Sequence, residues 1–99
     1  MDIIKSATAG TLESCDASVT VEALMGALEV VVESADTRFA ARVREVATVA
    51  IAELGITSAR VTIRDRSALD CTIRARVQTA CLRATGREAS VNLPWEYLK

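Results

Sequence analysis

Histidine is absent from this chain. Without an imidazole there is no His-based triad, no neutral-pH acid–base pair of that kind and no histidine zinc site, which speaks against autonomous hydrolytic or metal catalysis. Aromatic residues are nearly absent as well: one Trp, one Tyr and one Phe. A chain that is 51% apolar yet so poor in rings must build its core from Val, Ile, Leu and Ala, with no deep aromatic-lined pocket. No apolar run approaches the roughly 20 residues needed to span a bilayer. Lys5 is not followed by the apolar stretch of a secretory signal. These absences predict a soluble, cytoplasmic protein with no membrane role. The three cysteines are an odd number and do not suggest a disulfide framework. Cys71 and Cys81, if they share one helix, lie about 15 Å apart along its axis and cannot bridge.

A chain of 99 residues is enough for one domain, burying roughly 60–70% of its unfolded surface without staples. No repeat or linker divides it, so residues 1–99 are read as a single domain with an irregular tail over 87–99, where Pro94 forbids a helix. Net charge is −1, but residues 1–54 hold nine acids and four bases while 55–99 hold four acids and eight bases. That asymmetry predicts one positive surface rather than a general polyanion binder.

Alternation over 17–23 sets Val19, Val21 and Ala23 against Ser18, Thr20 and Glu22, the pattern of a half-buried strand. A turn at 24–27 leads to a second strand over 28–34 with Leu28, Val30 and Val32 inward, and the two are expected to form an antiparallel hairpin. Residues 7–13 could add a leading strand, weakened by Gly10. Asp36 is a good N-cap for a helix whose apolar stripe is Phe39, Val43, Val46, Ala50 and Leu54, closed by Gly55. A strand over 58–64 puts Ala59, Val61 and Ile63 opposite Arg60, Thr62 and Arg64. Ser67 and Asp70 imitate a capping box for a second helix with Leu69, Ile73, Val77, Ala80 and Ala84 on its apolar face, ending at Gly86. The expected fold is α+β: a mainly antiparallel sheet of three to four strands with two helices on one face.

Among candidate residues, Ser14 lies in a short polar segment, Glu13–Asp16, between apolar ones. An exposed loop hydroxyl is open to modification, although an ordinary turn serine bonding its own backbone has the same local sequence. The block Ala-Thr-Ala-Gly-Thr-Leu-Glu-Ser-Cys-Asp over 7–16 resembles the modification site of the citrate lyase acyl carrier protein family, the gamma subunit of that complex. Asp65-Arg66-Ser67-Ala68-Leu69-Asp70-Cys71, continuing into Ile73-Arg74-Ala75-Arg76-Val77, and the closing Leu93-Pro94-Trp95-Glu96 resemble the same family in order and spacing. The resemblance implies a non-catalytic carrier subunit. Ser14 would anchor 2'-(5''-phosphoribosyl)-3'-dephospho-coenzyme A through a phosphodiester. The arm would present acetyl and citryl thioesters to the alpha (transferase) and beta (lyase) subunits in cleavage of citrate to acetate and oxaloacetate. A prosthetic-group transferase is a further implied partner. Fatty-acid carrier proteins place the serine after Asp at a helix start in a four-helix bundle. Here Glu13 precedes it, and the surroundings read as strand and loop.

Cys15, beside the anchor and flanked by Glu13 and Asp16, reads as a small side chain whose thiolate is disfavoured. The arginines of the basic half, Arg74 and Arg76 foremost, could dock an acidic partner or hold the arm's phosphates, or form a solvated face. Trp95 reads as a packing anchor for the tail. Three other readings stand beside the carrier of citrate lyase: the carrier subunit of malonate decarboxylase, a small nucleic-acid-binding α/β domain, and an acylphosphatase-type enzyme. The second lacks the interleaved aromatics that stack bases. The third lacks a Gly-rich phosphate cradle.

Overall fold

The computed structural model describes residues 2–34 and 36–86. The tail 87–99, with Arg87, Pro94 and Trp95, lies outside the described residues. Among the described residues four strands, β1 (Ala7–Gly10), β2 (Asp16–Glu22), β3 (Leu28–Ser34) and β4 (Ala59–Arg66), form one sheet in the order β1-β2-β4-β3. Two helices, α1 (Ala40–Glu53) and α2 (Asp70–Ala84), complete an α+β fold. No helix among the described residues is long and apolar enough to cross a membrane.

Alternation decides which face each strand buries. Val19 and Val21 of β2 and Ala59, Val61 and Ile63 of β4 are all at 0% exposure, and the register sets Val19 beside Ile63 and Val21 beside Val61. Helix α2 lies over β1 and β2, and α1 over β3, with the helices packed on one another. Their contribution is Val43, Ala47, Ala50 and Ile51 from α1 and Ile73, Val77, Ala80 and Cys81 from α2. Full burial of a Val or Ile is worth roughly 1.5–3 kcal/mol. A register slip by one residue would turn that whole face to water, so the pairing is strongly specified.

The expected hairpin between β2 and β3 does not form. β4 lies between them, antiparallel to β2 and parallel to β3, so the sheet is mixed although two of its three pairings are antiparallel. The reason is α1. A helical crossover carries the chain back to the starting end of β3, and the next strand then runs parallel to it. As an edge strand β3 is less covered than expected: Val30 and Val32 are half-buried and Leu28 is exposed. Ala23 is exposed because β2 ends at Glu22.

Two helix starts also differ from expectation. Asp36 caps a single turn of 3-10 helix over Thr37–Phe39, accepting from Arg38 N at 3.0 Å, and α1 continues directly from it. Phe39 therefore falls before the 3.6-residue periodicity begins and is 55% exposed. At α2, Ser67 has φ 64° and forms no capping box; Leu69, 69% exposed, stands at the cap without a side-chain bond. The turn is held instead by Asp65, a carboxylate 3% exposed, which accepts from Ala68 N at 2.9 Å and Ser34 Oγ at 3.2 Å.

Candidate functional site

β1 and β2 pair from Ala7↔Val21 to Gly10↔Ser18, and the chain between them closes in a short loop whose tip carries Ser14. Asp16 N donates to Glu13 O at 3.2 Å, making Ser14 and Cys15 the two central residues of a four-residue turn. Cys15 takes φ 65°, a left-handed conformation that turns the chain back into β2. Ser14 is exposed, and its hydroxyl makes no hydrogen bond among the described residues.

This loop is pinned from several directions. Cys15 N donates to Arg66 O at 2.7 Å, tying the turn to the end of β4. Thr11 Oγ1 donates to Asp16 Oδ2 at 2.7 Å and accepts from Glu13 N at 3.2 Å, closing the loop on itself. From α2, Arg76 grips Asp16 as a fork, Nε to Oδ1 at 2.9 Å and Nη2 to Oδ2 at 3.1 Å, and Ala17 N adds 2.7 Å to Oδ1. Such paired, charge-assisted bonds fix geometry as well as adding energy. Gly10 makes this grip sterically feasible. At φ 89°, a Cβ there would fall 1.8 Å from Ala17 O and 3.1 Å from Arg76 Cδ.

The Arg76 fork, with the Thr11 hydroxyl and the Ala17 amide behind it, holds the Asp16 carboxyl well below the usual carboxylate range. Its folded pKa is thus lower than the unfolded value of about 3.9. The stabilisation from this group is fully present above that value and is lost as pH falls through it toward the folded pKa. Asp16→Asn is therefore expected to flatten the acid limb of stability, read as urea midpoints from about pH 6 down to about pH 3. An unchanged slope in the variant would show that Asp16 does not contribute it.

The charge asymmetry of the sequence is resolved by pairing across the two halves. Arg60 meets Glu29, Arg64 meets Glu33, Arg74 meets Glu53 and Arg76 meets Asp16. The expected single positive surface is in this way broken into ion pairs. Arg74 and Arg76, two residues apart on α2, serve different neighbours: Arg74 bridges to α1, and Arg76 reaches the Ser14 loop. Nothing local in the sequence marks Asp16 and Arg76 as a clamp, because the partners lie 60 residues apart. Asp65 does leave a signal, an acid at an inward position of an otherwise apolar alternation. Of the cysteines, Cys15 and Cys71 are exposed, while burial pushes the Cys81 thiol up to about 12.

The described residues thus form a small α+β domain with an exposed serine at the tip of a braced loop. The family model described as "ACP: Malonate decarboxylase delta subunit (MdcD)" matches residues 4–84. The citrate lyase acyl carrier protein of Albidiferax ferrireducens is 46% identical over 101 residues, covering 100% of both chains. Those of Haemophilus influenzae strain PittEE (43%, 97% of each chain) and Rhodopseudomonas palustris strain BisA53 (46%, 85% of this chain and 88% of the relative) are similar as well. The chain belongs to the citrate lyase acyl carrier protein family.

Proposed function

We propose that this protein is the acyl carrier subunit of a citrate lyase, and that Ser14 Oγ carries its phosphoribosyl dephospho-coenzyme A arm in phosphodiester linkage. The observation that carries this reading is the Ser14 hydroxyl, exposed and without a hydrogen bond among the described residues, at the tip of a loop held through its backbone by β4 and through the Asp16 side chain by α2. When bound, the arm supplies a terminal thiol for acetyl and citryl thioesters, and a thioester withdraws electrons far better than a carboxylate, easing carbon–carbon cleavage. The chain's own residues fix the root of the arm. The Asp16–Arg76 fork and the Cys15–Arg66 bond keep Ser14 facing outward, so a modifying transferase can reach it. Tethering then makes each encounter with the alpha and beta subunits intramolecular, at high effective concentration.

A catalytic role for Ser14 itself has little support. The nearest braced carboxylate, Asp16, is committed to Arg76 and held at a pKa too low to take a serine proton. The nucleic-acid reading loses its footing because the sheet-face arginines Arg60 and Arg64 are paired with glutamates. The malonate decarboxylase reading draws on the description of the family model, but the full-length relatives named above bear the citrate lyase name. A cytoplasmic location fits this partnership.

The test is the intact mass of the protein purified from its native host. A single covalent adduct of the arm's mass is expected, and an unmodified mass would remove the carrier reading. Docking is assigned to the arginine face of α2. Arg76 also holds the Ser14 loop, so Arg74 is the cleaner probe. Arg74→Glu is expected to weaken incorporation into the assembled complex while costing no more than about 1 kcal/mol of stability, since exposed pairs contribute little. Normal assembly, measured by co-purification of the other subunits, would remove this surface from docking.

A further inference from the structure

We propose that Arg66 is the phosphate-binding residue of this site, its guanidinium contacting the phosphodiester at Ser14. The inference rests on the Ser14 reading above and deepens it.

Three arginines of β4, Arg60, Arg64 and Arg66, alternate with the buried residues Val61, Ile63 and Asp65 and so occupy the sheet face that the helices leave uncovered. Two of them are neutralised from β3. In the parallel register Glu29 stands beside Arg60 and Glu33 beside Arg64, and the side chains meet at 3.4 and 3.1 Å. Arg66 is one step past the last β3–β4 pair, Ser34↔Asp65, so the ladder offers it no glutamate. On its other side the register partner is Asp16. Both oxygens of Asp16 are already taken by Arg76, Thr11 and the Ala17 amide. Arg66 is therefore exposed with no ion pair to any described residue.

Its position is as telling as its vacancy. The Arg66 carbonyl accepts the Cys15 amide at 2.7 Å, so its backbone is bonded to the residue that follows Ser14. Asp65, buried beneath, accepts from Ala68 N and holds the turn that fixes where β4 ends. A phosphodiester on Ser14 Oγ would place a permanent negative charge at the loop tip, where Glu13 already contributes one. The Arg66 side chain lines a cleft with Glu33, Ser34 and Arg64; swung across β4 toward the loop that its own carbonyl braces, its guanidinium supplies the missing counter-ion and can bind two phosphate oxygens through its fork.

Phosphorus NMR of intact holo-protein tests this, with loading on Ser14 verified by mass. Arg66→Gln is expected to shift and narrow the phosphodiester resonance, whereas Arg64→Gln, at another exposed arginine of the same strand, leaves it as in the wild type. Arg66→Lys keeps the charge without the fork, should fall between, and provides a second loaded variant for the comparison. Raising salt to about 0.5 M should move the wild-type resonance toward that of Arg66→Gln, since screening then acts over only a few ångströms. Superimposable resonances for wild type and Arg66→Gln, or an equal response from Arg64→Gln, would overturn the assignment while leaving Ser14 as the anchor. A wild-type protein without any Ser14-linked phosphorus would overturn the carrier reading and this inference with it.

Discussion

Ser14→Ala is expected to yield a folded, assembled and wholly inactive complex. The loss is covalent in origin: alanine keeps the backbone of the turn and leaves no oxygen to accept the phosphodiester. Because the hydroxyl makes no hydrogen bond among the described residues and is exposed, its removal should change stability by less than about 0.5 kcal/mol. The neighbouring Cys15→Ala should be nearly silent. The structural contribution of Cys15 is its amide, bonded to Arg66 O, and its left-handed backbone, both of which alanine retains about as well. Citrate cleavage by the reconstituted complex, alongside urea unfolding of each isolated variant, separates the two effects. Residual cleavage with Ser14→Ala would mean that the anchor has been misassigned.

Gly10→Ala is expected to be the most damaging single methyl in the site. Its Cβ would lie 1.8 Å from the Ala17 carbonyl oxygen, a backbone atom that cannot step aside, and 3.1 Å from Arg76 Cδ, on a residue held at φ 89°. A left-handed non-glycine residue alone costs of order 1–3 kcal/mol, and relief of the clash must move β2 or displace the Arg76 fork. A total loss on the order of 3 kcal/mol is expected in urea unfolding, together with reduced loading of Ser14 because the loop is no longer braced. A loss below about 1 kcal/mol would show that the β1–β2 junction yields more easily than its geometry implies.

Much of this fold can be read from the alternation of apolar residues, and the failures are specific. Ala59, Val61 and Ile63 are buried as the pattern requires, as are Val19 and Val21. Alternation tells which face a strand buries but not which strand lies beside it. For that reason β2 and β3, adjacent in sequence and joined by a turn, looked like a hairpin. The corrective signal was the helix between β3 and β4, long enough to serve as a parallel crossover. Phe39 misled because helical spacing was extended back into a 3-10 turn of different period. Gly10, read only as a weakness in a strand, proves to be a point where an added Cβ would meet both β2 and the Arg76 side chain of α2.

The site divides in the same way. The choice of Ser14 comes from the resemblance of the Gly-Thr-Leu-Glu-Ser motif, since its local physics is that of any turn serine; the structure adds its exposure at the loop tip. Arg76 was visible as a charge but not as a clamp, because nothing local links it to Asp16 at the far end of the chain. Arg66 stands out only after the sheet register shows which arginines already have partners. Ion pairs that join distant segments depend on topology, and topology was the weakest part of the sequence reading.

The central claim is that one covalent arm hangs from one oxygen of this chain. Peptide mass spectrometry of the holo-protein, with fragmentation across the segment from Thr11 to Ser18, measures this directly. The expected result is a single adduct of the arm's mass, with every fragment that retains Ser14 carrying it and none that lacks Ser14. An adduct localised to Cys15 or Ser18, or no adduct in protein from its native host, would contradict the account.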